Sequence, residues 1–69
     1  MASITVNGKV FDLEEDVVSV AGFIRRRGLD PQYVVVERNG EPLERHRYED
    51  VYLADGDRLE LVRAVAGGG

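Results

Sequence analysis

Apolar residues alternate with polar ones near both ends of the chain and fall at helical spacing once between them. Residues 3–7 put Ile4 and Val6 on one face at period two, as a half-buried strand requires. Residues 9–13 return the pattern with Phe11 and Leu13. Asn7-Gly8 between them is a two-residue hairpin turn, since both positions tolerate positive φ. Val20, Phe23 and Ile24 then occupy i, i+3 and i+4, a short apolar stripe on a helix. Ser19 is placed to cap that helix, and the acidic connector Glu14-Glu15-Asp16 ahead of it suits the positive end of the dipole. Arg25-Arg26-Arg27 fill the last turn, where positive charge complements the carbonyl end. Gly28 is a natural residue just past the cap, Leu29 can close over it, and Asp30-Pro31 stops the chain from continuing as helix. The pattern predicts two to three turns ending near Arg27. Gly22 inside costs about 1 kcal/mol against alanine, which points to close packing on a neighbour.

Residues 33–37, Tyr-Val-Val-Val-Glu, form the most β-branched run and predict a strand with both faces largely apolar. Asn39-Gly40 is a second hairpin signal, and residues 41–44 a short return that Pro42 confines to an edge or a strand end. Residues 45–50 read as irregular or as one helical turn anchored by Tyr48. Residues 51–53 are a short extended piece, Asp55-Gly56-Asp57 a tight turn, and residues 58–65 a final strand carrying Leu59 and Leu61, with Arg63 and Val65 continuing the alternation.

A hairpin, a helix that crosses one face, a second hairpin and a last strand leave few ways to build one sheet. Setting the first and last strands side by side buries both. That arrangement is the β-grasp, the ubiquitin-like fold: a single α+β domain, a mixed sheet packed on one helix, with the other face open. We place the domain at residues 1–65 and a flexible C-terminal glycine tail at 66–69. Val34, Val35 and Val36 cannot all face one helix, so some lie on the open face. There they either mark a partner surface or cover the sheet edge and fill beneath residues 45–50.

Composition narrows the chemistry. Sixty-nine residues make one domain near the lower size limit for a core without staples. No cysteine excludes disulfides, thiolate metal sites and a thiol nucleophile, and His46 alone cannot build a multi-histidine centre. Apolar residues at 43% and charged residues at 32% are those of a soluble globular protein. No apolar run nears the ~18 residues a bilayer span needs, and the N-terminus lacks a signal-peptide pattern, so a cytoplasmic location is expected. A net charge of −4, with basic residues scattered, argues against nucleic-acid binding.

The candidate chemistry sits at the end of the chain, Ala64-Val65-Ala66-Gly67-Gly68-Gly69. Fully extended, it reaches about 20 Å at ~3.3–3.6 Å per residue, thin enough to thread a channel that any Cβ would block. A carboxylate is a poor electrophile until it is activated as an acyl-adenylate, whose leaving group a sulfur nucleophile can replace. Unbranched glycine leaves the carbonyl open to that attack. By itself such a tail reads first as a frayed end or a cloning residue; at the end of a β-grasp strand it gains meaning. Other groups offer less. Asp55 and Asp57 flank a turn glycine and lack the further oxygens of a cation loop. Glu14-Glu15-Asp16 reads as a solvated connector, and Arg25-Arg26-Arg27 sits at the helix end that repels anions. His46 between Arg45 and Arg47 requires no function.

Taken together, the chain resembles the ThiS family of bacterial sulfur carrier proteins of thiamin thiazole biosynthesis. The likeness runs through Val6-Asn7-Gly8, Ser19-Val20, Gly28-Leu29, Val34-Val35-Val36, Arg38-Asn39-Gly40-Glu41, Arg45 with Tyr48, Leu53-Ala54-Asp55-Gly56-Asp57, and residues 59–68 into Gly67-Gly68. It implies that the chain is a carrier and not an enzyme. An E1-like adenylyltransferase uses ATP and magnesium to adenylate the terminal glycine, Gly69 or Gly68, with Ala66 and Gly67 threading the partner's channel. Sulfur originating from a cysteine desulfurase makes the thiocarboxylate, and thiazole synthase accepts it. No cofactor, metal, nucleic acid or membrane is implied for the carrier itself. The family usually ends Gly-Gly, so Gly69 is one residue more. Alternatives are a carrier for molybdopterin or a secondary metabolite, a ubiquitin-like protein modifier, and an interaction domain with an inert tail.

Overall fold

The computed structural model describes residues 2–14 and 17–64. The part of the acidic connector at residues 15 and 16, and the tail from residue 65 onward, lie outside the described residues.

Five strands and one helix carry the fold: β1 (Ala2–Val6), β2 (Lys9–Leu13), α1 (Val20–Arg26), β3 (Val34–Arg38), β4 (Glu41–Leu43) and β5 (Arg58–Arg63). Their order across the single sheet is β2-β1-β5-β3-β4. β1 and β5 are parallel neighbours and every other pair is antiparallel, which gives the mixed sheet the element order predicts. Both Asn-Gly pairs form the hairpins, with φ of 49° and 52° at Asn7 and Asn39 and positive φ at Gly8 and Gly40. Asn7 belongs to the turn, so β1 runs one residue earlier than residues 3–7. Tyr33 joins a three-ten turn, Pro31–Tyr33, capped by the Asp30 carboxylate on the Gln32 amide, so β3 starts and ends one residue later than expected.

α1 is short, two turns, and is capped at both ends. Ser19 Oγ accepts from the Gly22 amide at 2.9 Å, as the sequence predicts. The amides of Val20 and Ala21 donate to the carbonyls of Val51 and Tyr48, both at 2.9 Å, so the loop before β5 completes the cap. At the other end Gly28 adopts φ 78°, with Gly28 N–H on Arg25 C=O and Leu29 N–H on Ile24 C=O, a Schellman closure. The neighbour that crowds Gly22 is the cap itself: a Cβ there would meet Ser19 Oγ at 3.1 Å.

Val20, Ala21, Phe23 and Ile24 pack on Ile4, Val6, Leu13, Val34, Val36 and Leu59 from the sheet, and Tyr48 and Leu53 close the flank. Each aliphatic side chain so buried contributes roughly 1.5–3 kcal/mol. Residues 45–50 form a three-ten turn, Arg45–Arg47, with Tyr48 2% exposed, the anchor the sequence points to. Phe11 lies half-buried, edge-on to Phe23 at 5.9 Å between centroids and covered by Arg27, whose guanidinium stands 4.7 Å above the ring. The arginine triplet therefore does more than offset the helix dipole: Arg27 lids the core, and Arg25 pairs with Glu49. That surface pair raises the Arg25 pKa and lowers that of Glu49.

Candidate functional site

β5 is the structural origin of the site, because it leads the chain out of the sheet. It lies in the middle of the sheet, between β1 and β3. Antiparallel pairing with β3 covers five of its six residues, from Arg38–Leu59 to Val34–Arg63. Parallel pairing with β1 covers two positions, Thr5–Arg58 and Val6–Leu59. The chain leaves β5 at Ala64, whose amide donates to the Tyr33 carbonyl at 2.6 Å. Leu29, Asp30, Tyr33, Val34, Arg63 and Ala64 line a groove beside this exit. The four residues the sequence singles out, Ala66, Gly67, Gly68 and Gly69, lie outside the described residues.

The start of β5 is fastened by buried charge. Asp57, 6% exposed, receives the Ala54 amide on Oδ2 at 2.8 Å, Arg38 Nε on Oδ2 at 3.1 Å and Asn39 Nδ2 on Oδ1 at 3.0 Å. Burial by itself would raise its pKa, but the Ala54 amide, Asn39 and Arg38 together outweigh it and hold the carboxyl below the usual aspartate value. Asp55 accepts from the Ser3 amide at 2.8 Å, and the Gly56 amide donates to the Ser3 carbonyl at 2.8 Å. Both carboxylates of Asp55-Gly56-Asp57 are thus occupied in docking the turn onto β1 and β3.

The two hairpin asparagines also grip β5, a role their turn reading did not reveal. Asn39 Oδ1 accepts from the Arg58 amide at 2.8 Å. Asn7 holds Leu61 on both groups: Oδ1 accepts from the Leu61 amide at 2.8 Å and Nδ2 donates to the Leu61 carbonyl at 3.1 Å.

The open face carries an exposed apolar pair. Val35 and Val62 are direct cross-strand partners, 47% and 60% exposed. Glu37 pairs with Glu60 one step further from the exit on the same face. Of the alternatives for the valine run, the structure places Val34 and Val36 in the core and leaves Val35 uncovered. Val35 and Val62 thus form an exposed apolar pair on the open face, beside the strand exit.

A mixed five-stranded sheet with a parallel pair at its centre and one helix across one face defines a ubiquitin-like β-grasp protein. The chain belongs to the ThiS family, whose model matches residues 4–68. It is 35% identical over 63 residues to the sulfur carrier protein ThiS of Bacillus subtilis (strain 168), covering 91% of this chain and 96% of that protein. A stretch of 65 residues is 32% identical to part of a thiazole synthase of Paramagnetospirillum magneticum, covering 94% of this chain but 20% of that protein. Among solved structures, the crystal structure of the thiamine biosynthesis protein ThiS from Geobacter metallireducens superposes with a TM-score of 0.79 at 33% identity, covering 97% of this chain and 99% of that one. The solution structure of a thiamine biosynthesis protein from the same organism gives 0.77 at 32% identity.

Proposed function

We propose that this protein carries sulfur for thiamine biosynthesis as a thiocarboxylate on its terminal glycine, Gly69, or Gly68 if the last residue is removed. It is a carrier and holds no catalytic machinery or cofactor of its own. An E1-like adenylyltransferase joins the glycine carboxylate oxygen to the α-phosphorus of ATP, with magnesium, and releases pyrophosphate. The outer sulfur of a persulfide formed by a cysteine desulfurase then attacks the acyl carbon and expels AMP, and a thiol reductant cleaves the S–S bond of the resulting acyl disulfide to leave the thiocarboxylate. Thiazole synthase takes the sulfur and returns the carrier as carboxylate. The body is residues 1–65, the tail residues 66–69 threads the partner's channel through Ala66 and Gly67, and the cycle runs in the cytoplasm. None of the described helices is long and apolar enough to cross a membrane.

The observation that carries this reading is that the family match continues from the folded body through Gly68. Gly69 stands one residue past it. The thiazole synthase that contains a stretch similar to this chain supports that enzyme as the acceptor, because a covalent fusion keeps donor and acceptor together. The Val35–Val62 pair supplies an apolar contact on the face beside the exit.

Intact-mass spectrometry tests the reading. After incubation with the cognate adenylating enzyme, ATP, magnesium and a sulfur source, the chain gains the mass of one oxygen-for-sulfur exchange. A prior loss of one glycine residue assigns the site to Gly68. Deleting Gly68 and Gly69 abolishes the gain. An unchanged mass with a demonstrably active enzyme set overturns the reading, and discrete higher-mass protein adducts in cell lysate replace it with a protein modifier.

A further inference from the structure

Asn7 and Asn39 occupy equivalent places in the two hairpins, yet they hold different parts of β5. Asn39 fastens Arg58, the first residue of the strand, by its side chain at 2.8 Å and by its own amide on the Arg58 carbonyl at 2.7 Å. Asn7 fastens Leu61, three residues before Ala64. The β1 side needs this help. β1 pairs with β5 only as far as Leu59, and the Asn7 amide reaches the Leu59 carbonyl at 2.9 Å before the chain turns away through Gly8. Leu61 would then present an amide and a carbonyl to a strand that has already left. The Asn7 carboxamide supplies one acceptor and one donor in its place, as a strand residue would. No other side chain of that length offers both: aspartate at neutral pH has acceptors only.

The geometry points to Asn7 as a positioning residue that sets the direction in which the chain leaves the sheet at Ala64. With it, β5 is held on both flanks up to Leu61, and from there β3 and the Tyr33 carbonyl guide Val62, Arg63 and Ala64. Without it, everything past Leu59 is held from the β3 side alone. This inference rests on the sulfur-carrier reading, in which the segment beyond Ala64 must enter a partner's site. Loss of the clamp lowers the fraction of molecules whose exit points correctly, and the apparent affinity falls by that fraction. Once bound, the reacting carboxylate is unchanged, so turnover at saturation is retained.

The test compares the full chain with N7G, N7D and N39G. Asn7 has φ 49°, a conformation glycine accepts freely, so N7G removes the clamp and keeps the turn. N7D keeps the shape and the acceptor and loses the donor. N39G removes a side-chain clamp of the same kind at the far end of β5. Pyrophosphate release by the cognate adenylating enzyme is measured against carrier concentration, alongside amide hydrogen exchange at Leu61. For N7G and N7D we expect KM to rise about 5–20-fold with kcat within about twofold, and Leu61 exchange to accelerate. For N39G we expect a lower thermal midpoint with KM within about twofold. Unchanged KM in N7G and N7D despite faster Leu61 exchange overturns the positioning role. So does an equal rise in N39G, or a loss confined to kcat. Failure of both Asn7 variants to fold assigns the residue to folding instead. A native chain that elicits no pyrophosphate release defeats the carrier reading itself, and that outcome is seen before any substitution is made.

Discussion

Arg38 and Asp57, nineteen residues apart, meet at 3.1 Å across the start of β5, with the carboxylate almost entirely buried and the guanidinium only partly so. The contact ties the β3–β4 hairpin to the turn from which β5 begins. It also makes stability depend on acid. The Asp57 pKa is lowered in the folded chain, so its stabilisation is complete above the unfolded aspartate value of about 3.9 and is lost as pH falls below that toward the folded value. Urea midpoints recorded from pH 7 to pH 3 should show native chain and D57N converging at the acid end, with the native chain more stable at neutral pH. A gap that stays constant down to pH 3 would contradict this.

The Tyr48 hydroxyl donates to the Val34 carbonyl at 2.9 Å inside the core. β4 begins its pairing at Val36–Leu43, so Val34 has no strand partner on that flank. Tyr48→Phe leaves a buried carbonyl without a donor and should cost about 1–3 kcal/mol. Denaturant unfolding measures it. A cost near zero would mean that water replaces the hydroxyl.

Gly28 closes α1 at φ 78°, with open space where a Cβ would go. Its requirement is therefore conformational and not steric. Gly28→Ala should lose roughly 1–2 kcal/mol, and Gly28→Asn less, since asparagine enters the left-handed region more readily. Equal midpoints for the alanine and asparagine variants would argue against this account.

Val35→Ser with Val62→Ser changes the open face without touching the core. Each substitution should alter stability by no more than about 0.5 kcal/mol. Capture by the adenylating enzyme, measured by surface binding or calorimetry, should weaken about tenfold or more, as loss of an apolar contact centre does. Unaltered binding would place the partner contact elsewhere.

Much of this architecture is legible in the chain because its signals are local. Asn7-Gly8 and Asn39-Gly40 need only their own backbone preferences to make hairpins, and Ser19 and Gly28 cap α1 through residues three or four positions away. Val20, Phe23 and Ile24 mark the buried face by spacing alone. The strand boundaries shifted by one residue at β1 and β3, where turn residues took the ends, and β4 and β5 end at Leu43 and Arg63, short of the expected 44 and 65. The partners of Val20 and Ala21 at the start of α1 were not legible. They are carbonyls of Tyr48 and Val51, some thirty residues downstream, and backbone carbonyls leave no trace in residue identity.

The sequence by itself determined the elements, their order, the core faces of β1 and α1, the β-grasp arrangement and the glycine-rich end as the place to look for chemistry. These follow from periodicity, turn residues and capping, which act over a few positions. Only the tertiary structure decided what holds the strand that leads to that end. Asn7 reads as a turn residue until β5 is laid beside it, and Asp57 reads as a turn acid until Arg38 and Asn39 close over it. Both roles arise from groups 18 to 54 residues apart whose hydrogen bonds exist only once the sheet has brought them together. The exit from β5 is therefore braced on two flanks, by the Asn7 carboxamide at Leu61 and by the Tyr33 carbonyl at Ala64.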